Sequence, residues 1–304
     1  MSFEGDFLDY IPDFPKLVMV SVSNVCNCVC DHCPFNADKS LRVRESEKFM
    51  SSQLMLKIID QCEGKDTMFR ATGTGEPFMN KELTNAIVYA NSKNIKTGCI
   101  TNGSFSMAEI EKLIKSKTDV IEISADAYDE KTYEELRKGL SFNSLKEKIE
   151  FALECKNRYS PETKILVSMV DSNGVDYDGF SVFWQKIGVD NTINRKFLTY
   201  DTFREDNKAD ACKEREPCPY PFQRINILAD GNVTFCNYDV RQNYFMGNAN
   251  NRSIHDIWHS EEYNKWRELV FKGHYEEIPL CSGCEDWKHK SWTHNIFKVI
   301  KESK

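Results

Sequence analysis

Between residues 26 and 33 the chain reads Cys26-Asn27-Cys28-Val29-Cys30-Asp31-His32-Cys33. Taken as Cys26, Cys30 and Cys33, the spacing is CxxxCxxC. Three thiolates on one loop can occupy three irons of a [4Fe–4S] cubane and leave the fourth open to chelate a ligand. The same residues suit a zinc knuckle, with His32 or Cys28 as a fourth ligand, or a cysteine-rich loop without metal. A second set lies toward the carboxyl end: Cys218, Cys236 and the pair in Cys281-Ser282-Gly283-Cys284. Four thiolates close a cubane completely, and this spacing fits a zinc ribbon equally well.

The chain has 304 residues and twelve cysteines. A secreted disulfide scaffold would be short and carry an export signal, whereas Met1-Ser2-Phe3-Glu4-Gly5-Asp6 is acidic and lacks the basic-then-apolar pattern. Clustered cysteines in a reducing compartment more often hold metal. With 47 acidic against 40 basic residues the net charge is −7, which gives no footprint for nucleic acid or an anionic membrane. No apolar run approaches the roughly 20 residues that span a bilayer. These features predict a cytoplasmic protein, and 40% hydrophobic residues suffice for a substantial core.

The elements that must hold these thiols follow from periodicity. Six short β-rich runs, at 16–22, 67–72, 95–101, 120–124, 164–170 and 191–198, alternate with helical stretches. Leu54, Met55, Ile58 and Ile59 recur at helical spacing, as do Leu83, Ile87 and Ala90. Ser106 followed by Glu109 reads as a capping box. Strands alternating with helices imply a parallel sheet, because each parallel connection needs a crossover. Function in such folds collects at the carboxyl ends of the strands. The charged stretch 201–216 reads as a linker. A hairpin, 224–228 and 232–236, then flanks Ala229-Asp230-Gly231, and a helix opening at Ser253 carries Ile257, Trp258, Tyr263 and Trp266.

On the first cysteine motif, together with Gly73-Thr74-Gly75-Glu76-Pro77 after the second strand and Ser124-Ala125-Asp126 with Arg137-Lys138-Gly139 after the fourth, the sequence resembles the radical S-adenosylmethionine (SAM) superfamily. The resemblance runs over most of the chain. It implies a partial (β/α)6 barrel in which the open iron binds the amino and carboxylate groups of SAM, whose cleavage gives a 5′-deoxyadenosyl radical. It places Cys26, Cys30 and Cys33 on the cluster, with Cys28 a non-ligand, and His32 near the adenine. Thr74, Gly75, Glu76 and Pro77 would form the SAM loop, where glycine permits close backbone approach and Glu76 suits the ammonium group. Ser124 and Arg137 would approach the SAM carboxylate, with Asp126 and Ser168 near the ribose. Read alone, each has a plainer role: Ser124 a cap, Asp126 an Asx-turn, Arg137 a solvated charge.

The stretch from Cys218 to Cys284, with Met246-Gly247-Asn248 and Ile257-Trp258 between, resembles the short, single-cluster version of the SPASM extension, often called twitch. No cysteine follows in 285–304, so one auxiliary [4Fe–4S] cluster is expected. The expected organisation is an N-terminal extension (1–15), the barrel (16–200), the linker (201–216) and a small hairpin-plus-helix cluster domain (217–304). A fully ligated cluster can take one electron, and a carbinol radical that loses an electron becomes a ketone. Together with a similarity to 2-deoxy-scyllo-inosamine dehydrogenase-like enzymes, this predicts oxidation of a hydroxyl-bearing small molecule, such as a sugar or cyclitol. A reductant such as flavodoxin or ferredoxin would supply the first electron.

Five cysteines remain. Cys62 and Cys155 fit packing on helices, and Cys28 is extra to the motif. Cys99 on the third strand and Cys212 in the linker are candidates to return a hydrogen atom to a substrate radical, which would make the enzyme an epimerase. Arg195, on the sixth strand, is a candidate to orient or deprotonate a substrate hydroxyl, or else forms an ion pair. A peptide-modifying enzyme is a third reading, against which only some fifteen residues precede the first strand. A two-site zinc-binding interaction module is the non-enzymatic alternative.

Overall fold

The computed structural model describes residues 6–37, 48–171, 174–196, 215 and 217–289. Its strands are β1 (Leu17–Ser21), β2 (Val29–Cys30), β3 (Met68–Thr72), β4 (Lys96–Thr101), β5 (Val120–Ser124), β6 (Arg137–Lys138), β7 (Lys164–Asp171), β8 (Asn191–Lys196), β9 (Arg224–Ile227), β10 (Asn232–Thr234) and β11 (Phe245–Asn248). Nine of them form one sheet in the order β11-β10-β9-β1-β3-β4-β5-β7-β8. All neighbours from β9 to β8 are parallel, and β9, β10 and β11 are antiparallel. Among the described residues β11 and β8 are the two edges of the sheet and do not pair with each other, so the barrel is partial. Each of the six expected strands is present. The Asp-Gly hairpin is too, with Gly231 at φ +83°, a conformation open to glycine.

Among the described residues the helices are α1 (Pro34–Ala37), α2 (Ser52–Cys62), α3 (Leu83–Ser92), α4 (Met107–Lys115), α5 (Glu130–Leu136), α6 (Phe142–Tyr159), α7 (Tyr177–Ile187), α8 (Tyr220–Gln223), α9 (Ile254–Trp258), α10 (Glu261–Lys272) and α11 (Pro279–Ser282). The Ser106–Glu109 capping box opens α4. One helix was expected after Ser253, but two form. Ser253 Oγ accepts from Asp256 N at 2.9 Å, and Ser260 Oγ accepts from Tyr263 N at 3.3 Å, so a second N-cap restarts the chain.

The sheet has two apolar layers. Val18, Val20, Phe69, Ala71, Ile121, Ile123, Ile165 and Val167 face the helices in the main core. Leu17, Met68, Val120, Leu166 and Ile193 form a separate cluster on the opposite face, inside the curve of the sheet. Two residues further along, Arg70, Glu122, Ser168 and Arg195 make that inner face polar beside Met19, and there the cavity opens.

β9 pairs in parallel with β1, so the carboxyl-terminal hairpin extends the barrel sheet. The N-terminal segment clasps the same region: Trp258 Nε1 donates to Pro12 O at 2.9 Å, and Tyr10 packs on Phe271 at 5.8 Å between centroids. No helix among the described residues is long and apolar enough to cross a membrane.

Candidate active site

The loop after β1 carries the first thiols and is held from several sides. β2 pairs with β6, which sets Cys30 opposite Arg137. Asn36 Nδ2 donates to Cys30 O at 2.9 Å, and Asn102 Nδ2 donates to Asn27 Oδ1 at 3.0 Å. Gly75 N and Glu76 N donate to Ser23 O and Val25 O, each at 2.9 Å. Cys26, Cys28, Cys30 and Cys33 line a cavity of about 370 Å³ at the carboxyl ends of the strands.

A tetrahedral zinc with Zn–S bonds of about 2.3 Å draws its sulfurs to within about 3.8 Å of one another. Among the described residues, no three thiols lie within 4.8 Å of each other in either set. Three thiols on one loop and four around one pocket suit iron–sulfur clusters, in which each iron takes one protein thiolate. Cys28 lies 3.2 Å from Cys30. The hydrogen bond from Cys28, reinforced by the Arg137 guanidinium, lowers the pKa of the buried Cys30 thiol. Burial instead pushes Cys33 up to about 11.

The 73–77 loop is shaped by close backbone packing. A Cβ on Gly75 would sit 2.4 Å from Val25 O, and one on Gly73, at φ +132°, 2.0 Å from Ser21 Oγ. The close approach that needs these glycines is to the β1 loop. Thr74 joins the same contact through Asn24. Pro77 opens a 3-10 turn (Pro77–Met79) capped by Glu76. The Glu76 carboxylate accepts from Thr101 Oγ1 at 2.6 Å, Asn102 N at 2.7 Å and Phe78 N at 3.1 Å. Burial pushes its pKa up. Three of about four acceptor positions are used, which leaves one on Oε2.

Asp126, at φ +61°, turns its carboxylate inward, where Oδ1 accepts from Val170 N at 2.8 Å. Oδ2 lies 2.6 Å from Arg137 Nη2 and 3.6 Å from His32 Nε2. Arg137 is thus a buried partner of Asp126 beside Cys30, and not a solvated helix charge. Ser124 and Ser168 stand opposite each other in register and line the cavity.

Below them, Glu122 is bound by two arginines. Arg195 Nε and Nη2 lie 2.9 Å and 2.5 Å from its Oε1, and Arg70 Nη2 lies 2.6 Å from Oε2. Gly98 sits between Arg70 and Val120 in register and has no side chain to block Arg70 from crossing β4. Arg195 lines the cavity, and its guanidinium is held more firmly protonated by Glu122, against the effect of burial. That rules it out as a base. Cys99 is also displaced from its expected position: fully buried, it faces the helices in the main core, and burial pushes its thiol up. Strand alternation turns it away from the cavity, so it cannot reach a substrate. Cys212 lies outside the described residues.

The second set lines its own small buried pocket, with Cys218, Cys236, Cys281 and Cys284 around it. Burial raises all four thiols, Cys284 to about 12, so loading metal there must release protons. Tyr220 and Tyr238, ring centroids 6.1 Å apart, line both this pocket and the large cavity. Sequence reasoning missed Arg70, Glu122, Tyr220, Arg224, Asn226 and Tyr238. Charges inside Met68-Phe69-Arg70-Ala71 and Val120-Ile121-Glu122-Ile123 were the available signal, because a buried strand keeps a charge only with partners.

Comparison with known proteins agrees with this geometry. The model of the radical SAM superfamily matches residues 20–170, and that of the SPASM iron–sulfur cluster-binding domain matches residues 218–285. The chain belongs to the radical SAM superfamily and carries a SPASM domain. Its cofactors are SAM and two [4Fe–4S] clusters, and it is an enzyme. It is 32% identical over 81 residues to an S-adenosyl-L-methionine-dependent 2-deoxy-scyllo-inosamine dehydrogenase of Niallia circulans, covering 27% of this chain and 32% of that protein. It is 24% identical over 184 residues to the mycofactocin maturase MftC of Mycolicibacterium smegmatis, covering 60% of this chain and 45% of that one. The chain therefore matches less than half the length of either relative. Among solved structures, BtrN in complex with AdoMet and 2-DOIA superposes with a TM-score of 0.60 at 17% identity, covering 88% of this chain and 92% of that one. Streptococcus suis SuiB bound to precursor peptide SuiA gives a TM-score of 0.69 at 16% identity, covering 86% and 69%. At such identities the structures show a shared fold.

Proposed function

We propose that the enzyme oxidises a hydroxyl-bearing small molecule at a C–H bond, with the auxiliary cluster as electron acceptor. The observation that carries this reading is the shared wall: Tyr220 and Tyr238 separate the large cavity from the second thiol pocket. When bound, the cofactors supply hydrogen abstraction from carbon at the open cluster and a one-electron sink at the closed one. The carbinol carbon loses a hydrogen atom, then an electron, and its hydroxyl loses a proton, giving a carbonyl.

In this assignment Cys26, Cys30 and Cys33 hold the open cluster, and Cys218, Cys236, Cys281 and Cys284 the auxiliary one. The remaining acceptor position of Glu76 takes the SAM ammonium. Ser124 and Arg137 approach its carboxylate, Asp126 and Ser168 its ribose, and His32 its adenine. Arg195 orients the substrate through its N–H groups. The similarity to a dehydrogenase over part of the chain supports the reaction class, and Cys99, packed in the main core, is no hydrogen donor to the cavity. A cytoplasmic setting with a flavodoxin or ferredoxin donor fits the need for a low-potential electron.

Anaerobic turnover with SAM in deuterated water tests the reading on a panel of sugars and cyclitols. A ketone formed in step with 5′-deoxyadenosine supports it. Solvent deuterium at an inverted carbon, without a ketone, would replace it with epimerisation.

A further inference from the structure

Of the four arginines that line the large cavity, Arg70 and Arg195 pair with Glu122 and Arg137 pairs with Asp126, while Arg224 has no carboxylate partner among the described residues. We propose that the substrate carries an oxyanion group, a phosphate monoester or a carboxylate, which Arg224 and Asn226 receive. This rests on the reading above and narrows its substrate class.

Strand β9 turns Arg224 and Asn226 toward the cavity, with Asn226 opposite Met19 of β1. The Arg224 guanidinium stacks on the Tyr220 ring, 3.1 Å from its centroid. Its Nη1 meets only neutral atoms, Met19 Sδ at 3.6 Å and Asn237 Oδ1 at 3.5 Å. Among the described residues it forms no ion pair. Asn226 is 5% exposed, yet neither its Oδ1 nor its Nδ2 has a partner. A buried amide left unpaired is costly, so its retention beside a cation points to a ligand.

Nearby acids do not answer this charge. Glu122 is shared between Arg70 and Arg195. Asp239 turns its carboxylate onto Asn243 N and Tyr244 N, at 3.1 and 2.9 Å. Guanidinium and amide together match an oxyanion flanked by a hydroxyl, since the amide both donates and accepts. Tyr220 carries Arg224 and also walls the auxiliary pocket, so a substrate anchored here lies toward the electron acceptor.

The test titrates reconstituted holoenzyme with SAM, anaerobically, with inorganic phosphate, glycolate and neutral ethylene glycol, followed by calorimetry and by the EPR signal of the reduced clusters. An anion should bind at least tenfold more tightly than ethylene glycol. Arg224→Gln should weaken it tenfold or more, and Arg224→Lys should recover most of the loss. Phosphate above glycolate assigns a phosphate monoester, and the reverse a carboxylic acid. Equal binding of anion and neutral diol overturns the proposal, as does an Arg224→Gln variant that loses SAM affinity while keeping anion affinity. If that variant fails to load its clusters, Asn226→Asp decides: like charge should weaken the anion, and unchanged affinity refutes the site. Binding is read without turnover, so its failure leaves the oxidation reading standing, and failure to form a ketone leaves the anion site standing.

Discussion

Glu122 is one carboxylate serving two guanidiniums inside the barrel. Burial opposes its ionisation, but Arg195 and Arg70 outweigh that and hold it below the usual carboxylate range. Removing the acid would leave two cations without compensation, at a cost of about 3–5 kcal/mol. Glu122→Gln should therefore lower the unfolding free energy measured by urea titration by that much, while Glu122→Asp should lose less. The pH sign follows from the lowered pKa. The native state binds this proton less readily than the unfolded chain, so the stabilisation is complete above the ordinary carboxylate range. It is lost as pH falls through the lowered value, and Glu122→Gln should flatten that part of the acid-unfolding curve. Cys99 teaches the complementary point. On a parallel strand buried on both faces, composition does not tell which face looks into the cavity, and only the register did.

At the scale of elements, caps decided what periodicity left open. Apolar residues from Ile254 to Trp266 fit one helix, and Ser260 divides them by capping α10. Ser260→Ala should cost about 1 kcal/mol, read as a lower melting temperature. Ser260→Asp keeps a capping carboxylate at the positive helix end and should recover most of it. The strand pattern, the Asp-Gly turn and the capping box at Ser106 were all legible, because each is a local preference. The pairing of β2 with β6, which sets Arg137 beside Cys30, spans more than a hundred residues and leaves no local trace.

For the whole molecule, the joining of β9 to β1 is what brings the auxiliary pocket to the cavity. The hairpin continues the barrel sheet, so its thiols stand on the same frame as the first cluster loop. Reconstituted protein should carry about eight irons per chain. Cys281→Ser combined with Cys284→Ser should lower that to about four, with 5′-deoxyadenosine still released but no oxidised product. Loss of both activities together would show that the two sites fold as one unit and would remove this support for an electron-acceptor role.

The sequence by itself determined the two groups of thiols, one after the first strand and one around the hairpin, and the alternation that makes the sheet parallel. Those properties reside in residue type and short-range spacing, which the chain carries wherever it folds. Tertiary structure alone decided that Arg195 is a clamped cation, that Cys99 points outward, and that Arg224 and Asn226 meet at the cavity floor. Each depends on strand register and on sheet order, and both are set by packing between segments far apart in the chain.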